Sequence, residues 1–247
     1  MMGLTFHSPA QTPSKAKQAS LKGNKMFSFQ FHYTYEQPGG DMATRFGQIH
    51  NVGSGVMFKT RNHWMAAFDL SYEFGYVKSL DFLYNLTNSA GYISNTNGQP
   101  ANYSVSMRGS SLFLKFGRIF PLSAYNRNSG IIIMAGGGFY ASKINIYTAR
   151  NDIAPLTPEL KKGYDRLSSG AALTQFIGYI FYSENRFYNF YAGFDFVQAF
   201  TVNRRGYNYD TMQADTKQKL DMLTGIRVGW IIPIYLTSGK EEEFNYR

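Results

Sequence analysis

From Met26 onward the chain alternates apolar and polar side chains with a period of two. Phe27, Phe29, Phe31, Tyr33 and Tyr35 are separated by Ser28, Gln30, His32 and Thr34. In an extended chain this alternation puts one set on each face of a strand. Trp64, Ala66, Phe68, Leu70, Tyr72, Phe74 and Tyr76 repeat it against Ala67, Asp69, Ser71, Glu73 and Gly75. Tyr188, Phe190, Ala192, Phe194 and Phe196 do so against Asn189, Tyr191, Gly193 and Asp195. The last clear case sets Leu220, Met222, Thr224, Ile226, Val228, Trp230 and Ile232 against Asp221, Gly225, Arg227 and Gly229.

Four less regular segments lie between. Residues 49–60 put Val52, Val56 and Phe58 on one face, and residues 105–117 put Leu112, Leu114 and Phe116 opposite Ser111, Lys115 and Gly117. Residues 131–147 end with Ile144 and Ile146 against Lys143 and Asn145, and residues 171–182 are apolar on both faces. The total is eight predicted strands. At roughly 10–16 residues each they exceed the usual length in soluble proteins and suit tilted strands that cross a bilayer.

The connections alternate as well. Arg61-Asn62 and residues 183–186 are tight turns, and 121–129 is short, whereas 36–48, 77–104, 148–170 and 201–218 are longer and polar. This is the organisation of an eight-stranded antiparallel up-and-down transmembrane β-barrel with short periplasmic turns and long extracellular loops. The predicted division is a leader over 1–25, a barrel over 26–236 and a polar tail over 237–247. An extra hairpin within 80–103 would raise the strand count by two.

Period two does not say which face is inside, because a soluble calycin-like barrel has the same period around a ligand. Volume and charge favour apolar outside. Phe, Tyr, Trp and Leu at nearly every apolar position would overfill an eight-stranded lumen. The opposite face carries Gly, Ala and Ser with Asp69, Glu73, Lys115, Lys143, Asp195, Asp221 and Arg227. Charges of both signs can pair there, which makes their burial tolerable. The expected result is a lumen plugged by an ion-pair network. A proton or ion path is the alternative use of the same residues. Trp64, Tyr76, Tyr147 and Trp230 fall where interfacial girdles belong.

Composition narrows the function. Aromatic residues make up 17% of 247 residues, with 21 Phe and 19 Tyr, which excludes disorder over most of the chain. Cysteine is absent, so no disulfide framework, thiolate metal site or Cys nucleophile exists. The net charge of +9 is not gathered into a dense stripe, so nucleic acid is not an expected partner. No apolar run reaches 18 residues, which leaves no transmembrane-helix candidate. The first 25 residues lack an apolar h-region and do not read as a secretory signal. Export would then require a start upstream.

Catalytic chemistry finds little support. The four histidines, His7, His32, His50 and His63, have no metal-ligand spacing, and no GxSxG or P-loop pattern occurs. His32 falls on the lumen face, where a Ser or Asp partner is conceivable. No cofactor, metal or small-molecule substrate is expected. The loops carry Lys161, Lys162 and Arg166 in KKGYDRL, and Arg204, Arg205 and Tyr207 in VNRRGYNYD. These could meet lipopolysaccharide phosphate or a protein partner, or could simply pair with Asp165, Asp210 and Asp215.

The segments KKGYDRLSSGAALTQFIGYIFYSENRFYNFYAGFDFVQAFTVNRRGYNYDTM and LDMLTGIRVGWIIPIY resemble a small outer-membrane barrel family of Bacteroidota. The resemblance runs from about PGGDMATRFG at residue 38 to the end. It implies an accessory barrel of an envelope machine, either type IX secretion of the PorG kind or barrel assembly. The N-terminal motif of the PorG type is not present. Outer-membrane lipid and an envelope protein complex are therefore the expected partners. The rival readings are an outer-membrane barrel enzyme acting on lipid or peptide, a small channel, and a soluble ligand-binding barrel.

Overall fold

The computed structural model describes residues 24–78, 81–148, 153, 156–183 and 187–236. Eight long strands are present: β1 (Met26–Gly40), β2 (Phe46–Lys59), β3 (Trp64–Val77), β4 (Tyr103–Pro121), β5 (Gly130–Thr148), β6 (Ser168–Phe181), β7 (Phe190–Asn203) and β10 (Gln218–Tyr235). A two-residue hairpin, β8 (Tyr207–Asn208) and β9 (Gln213–Ala214), stands apart from them. Each long strand pairs antiparallel with its neighbours, and β10 closes the ring on β1 from Met26↔Tyr235 to Gly40↔Asp221. Closure leaves no edge, so the strands pair all round without help from solvent.

All eight predicted strands are found, and both ends of the barrel follow the expected asymmetry. At one end Thr60 to Trp64 is a tight turn, with Thr60 N–H donating to the Trp64 carbonyl at 2.9 Å. At the other end lie the longer connections. The link between β1 and β2 is shorter than expected, only the 3-10 turn Asp41–Thr44 and Arg45. The polar residues Glu36 and Gln37 read as loop but belong to β1. Glu36 points inward, where its Oε1 accepts from Asn51 Nδ2 at 3.1 Å. Among the described residues, 81–102 add no barrel hairpin. Their described part holds the 3-10 helix Asp81–Leu86 and one isolated bridge, Ser94↔Pro100. The expected leader and tail fall largely outside the described residues.

The outer wall is apolar. Phe29, Phe31, Leu70, Leu114, Phe116, Ile133, Leu173, Ile177, Phe194, Ile226 and Val228 all project from it exposed. A continuous apolar belt of this extent far exceeds what a soluble monomer shows to water. A closed barrel wearing such a belt faces lipid. A calycin-like barrel would have the opposite polarity. Among the described residues no helix is long and apolar enough to cross a membrane; the strands do so.

Candidate functional site

The lumen is built in three layers. Toward the short turns, Met26, Met57, Met65, Ile119, Ile132, Met134, Phe176, Ile180 and Ile231 are buried as one apolar cluster. Toward the long loops, Met42, Phe46, Ile49, Met107, Tyr140, Ile144, Val197 and Leu223 form a second. Between them sits a polar belt. The inward positions of β3, β4, β7 and β10 bring Asp69, Lys115, Asp195 and Arg227 together, each almost wholly buried.

These four form a closed ring of alternating charge. Lys115 Nζ lies 3.0 Å from Asp69 and 3.4 Å from Asp195. Arg227 reaches Asp69 at 3.1 Å and Asp195 at 2.8 Å. Its Nε donates to Thr34 Oγ1 at 3.1 Å. Two cations and two anions cancel, and Gln30 donates to Asp69 as a further partner. Such mutual satisfaction is what allows charge to be buried. The void left beside the ring, between Gln30, Lys115, Phe176, Tyr191 and Arg227, is only about 20 Å³.

Three residues expected in the network stand elsewhere. Asp221 is buried but pairs with Arg45 at 2.7 Å and accepts from Thr201 at 2.6 Å, in a separate cluster nearer the loops. Glu73 is buried without an ion pair, accepting from Ser111 at 2.7 Å and Asn51 at 3.4 Å. Lys143 is a correction: it is exposed on the outer wall. The phase of β5 explains this. Ile144 and Ile146 turn inward to the upper apolar layer, so their neighbours Lys143 and Tyr147 turn outward. An apolar residue near the loop end of a strand is as useful inside the mouth as outside it.

The mouth is capped by the loops. Phe82, Leu83, Ile93, Ile153, Leu156 and Tyr164 pack on the upper apolar layer. Tyr164 lies on the helix Pro158–Tyr164, whose Thr157 cap accepts from Leu160 N–H at 3.4 Å. Basic loop residues are held by neighbours. Arg205 is bidentate to Asp165 at 3.0 and 2.6 Å, and Arg166 pairs with Asp210. Arg204 donates to Ser169 Oγ at 2.7 Å and to its carbonyl at 3.1 Å. Lys161 donates to Thr148 Oγ1 at 2.9 Å, whereas Lys162 is exposed. Tyr207 is partly exposed and packs edge-on to Tyr209 at 6.0 Å. The Asp165 and Asp210 pairings foreseen for these cations are thus formed, and Asp215 takes Lys219 instead.

His32 and His50 lie on opposite faces of the wall. His32 Nε2 lies 3.0 Å from Ser71 Oγ, sealed in the lumen. His50 sits on the outer wall, where Tyr33 OH meets its Nδ1 at 2.6 Å and Phe74 stacks on it. Among the described residues no group of His, Asp or Glu could hold a metal ion.

A sealed lumen, a lipid-facing wall and a capped mouth define a small transmembrane β-barrel of the outer-membrane type. No family model matches the chain, and no curated protein matches it. Solved structures similar to it include Neisserial surface protein A, at 10% identity and a TM-score of 0.44, over 83% of this chain and 96% of that one. Ail, the attachment invasion locus protein of Yersinia pestis, is 8% identical with a TM-score of 0.41, over 84% and 99%. Outer membrane protein AlkL, solved in lipid bilayers, is 9% identical with a TM-score of 0.41, over 96% and 100%.

Proposed function

We propose that this chain is a non-enzymatic outer-membrane barrel that acts as an accessory subunit of an envelope protein complex. The observation that carries this reading is the three-layered lumen. Two apolar layers and a neutral charge ring leave no open path, which speaks against a channel. The His32–Ser71 pair is enclosed, which speaks against an enzyme working at that position. Beyond the lipid-facing wall, what remains accessible is the capped mouth. It displays Tyr84, Tyr207, Tyr209 and Met212 to the outside, residue types enriched in protein interfaces. A secretion or barrel-assembly machine is the partner suggested by the resemblance of the segments 161–212 and 220–235 to accessory barrels of Bacteroidota.

Purification of the tagged chain from detergent-solubilised outer membranes, with mass spectrometry of what accompanies it, tests the proposal. Stoichiometric co-purification of envelope proteins, lost on replacing Tyr84 and Tyr207 by Ser, is the expected result. A clean monomer would overturn it. Single-channel steps in planar bilayers would favour the channel instead.

A further inference from the structure

We propose that Arg108 and Lys143 form a seat on the outer wall for the phosphate of an outer-leaflet lipid. The inference rests on the outer-membrane barrel proposed above, with its long loops outermost. Arg108 on β4 and Lys143 on β5 are direct cross-strand partners and both point outward. Like charges placed opposite each other on a sheet face repel and destabilise the pair. Among the described residues neither has an ion-pair partner. An anion shared between them would remove the repulsion.

The wall is shaped for one. A groove of about 240 Å³ runs between them, lined also by Tyr72, Ser110, Leu167 and Arg205. The small side chains of Ser110 and Ala141 form its floor, one step toward the belt. Tyr72 holds the Arg108 guanidinium over its ring at 5.8 Å. Arg205, already neutralised by Asp165, edges the groove without adding a free charge.

Depth identifies the source of the phosphate. Along the outer face of β4 the order is Arg108, Ser110, Leu112, Leu114, Phe116, Arg118. Ten residues of a tilted strand climb about 25 Å, the height of an outer-membrane apolar band. Arg118 packs over Trp64 and Phe120 at the short-turn rim, at 5.6 and 5.8 Å. Arg108 therefore stands at the headgroup level of the opposite leaflet, on the loop side. The anion fixed at that level is a lipid phosphate.

Native mass spectrometry of the full folded chain in detergent tests the seat, with three probes: bisphosphorylated lipid A, lipid A stripped of both phosphates, and inorganic phosphate. The phosphorylated lipid should be retained by the wild type and by Arg118→Gln. Retention should fall at least about tenfold in the Arg108→Gln, Lys143→Gln double variant, two charge-assisted contacts being lost. Equal retention by the double variant, or equal retention of the stripped lipid, would overturn the seat. Inorganic phosphate binding as tightly as the lipid would overturn its assignment to a lipid. Heat-modifiable migration reports folding; if the double variant misfolds, Lys143→Gln alone, at an exposed position, should still weaken retention. Failure of the wild type to fractionate with outer membranes would overturn the outer-membrane reading itself, whereas normal fractionation with no phosphate preference overturns only the seat.

Discussion

Arg227 and Asp195 meet at 2.8 Å in the middle of the lumen, and this contact belongs to a ring that Lys115 and Asp69 complete. No member can be removed alone without leaving a net buried charge. Replacing Arg227 by Met leaves Asp69 and Asp195 facing a single lysine. The expected cost is about 3–5 kcal/mol. Replacing all four by apolar residues of similar volume should cost far less or nothing. Urea unfolding in detergent, followed by the fluorescence of Trp64 and Trp230, measures both. A single Arg227→Met variant as stable as the wild type would show that the ring is not closed in the native barrel.

A second polar pair faces the opposite way. Gln175 on β6 and Gln198 on β7 point to the lipid side and exchange two hydrogen bonds, each 3.1 Å. In hydrocarbon neither amide has another partner. Gln175→Leu alone should therefore destabilise, because it strands Gln198. The double change to Leu should recover most of the loss. The coupling expected from a double-mutant cycle is about 0.6–1.7 kcal/mol. Additive single and double effects would mean that each amide finds water or a headgroup on its own.

The barrel was legible because strands such as β3, β7 and β10 keep one strict phase from end to end. Asp69, Asp195 and Arg227 inherit their inward direction from that phase, and Lys115 from the phase of β4. Lys143 escapes the pattern because β5 inverts its polarity near the loop end, where Ile144 and Ile146 face inward and Lys143 and Asn145 outward. Glu36 reads as loop in the sequence because a buried, singly hydrogen-bonded carboxylate looks there like surface. The layer of methionine and isoleucine at the short-turn end of the lumen is equally hidden: Met57, Met65, Ile119 and Ile132 lie off the regular apolar face, and only ring closure brings them together. Arg45, the partner of Asp221, lies in a short turn where no periodicity applies.

Gly229 makes room for a lumen tyrosine. A Cβ built there would lie 2.2 Å from Tyr191 Cε1. Tyr191 cannot step aside freely, because its hydroxyl donates to Gln30 Oε1 at 2.6 Å and Gln30 donates in turn to Asp69. Gly229→Ala should thus destabilise by about 1–3 kcal/mol, the usual cost of overpacking. Adding Tyr191→Leu should relieve part of it by emptying the space. If Gly229→Ala is neutral on its own, the tyrosine has a second resting place in the lumen.

The hairpin β8–β9 is tied down by one carboxylate. Asp215 accepts from Asn203 and Asn208, each at 3.0 Å, and pairs with Lys219. Burial alone would raise its pKa, but the hydrogen bonds from Lys219, Asn203 and Asn208 win and draw it from 3.8 down to about 2. A carboxylate with a depressed pKa in the folded state stabilises that state when ionised. Its contribution is fully present above a pH of about 4 and is lost as pH falls through about 2. The Asn203 and Asn208 side-chain amide resonances should therefore shift with a midpoint near 2 in NMR spectra of the chain in micelles. Asp215→Asn should abolish that titration and loosen the hairpin relative to the wild type wherever the carboxylate is ionised, above a pH of about 2. A midpoint near 3.8 would show that the three donors do not hold the carboxylate in solution, and that the outer mouth is less ordered than its hydrogen bonds imply.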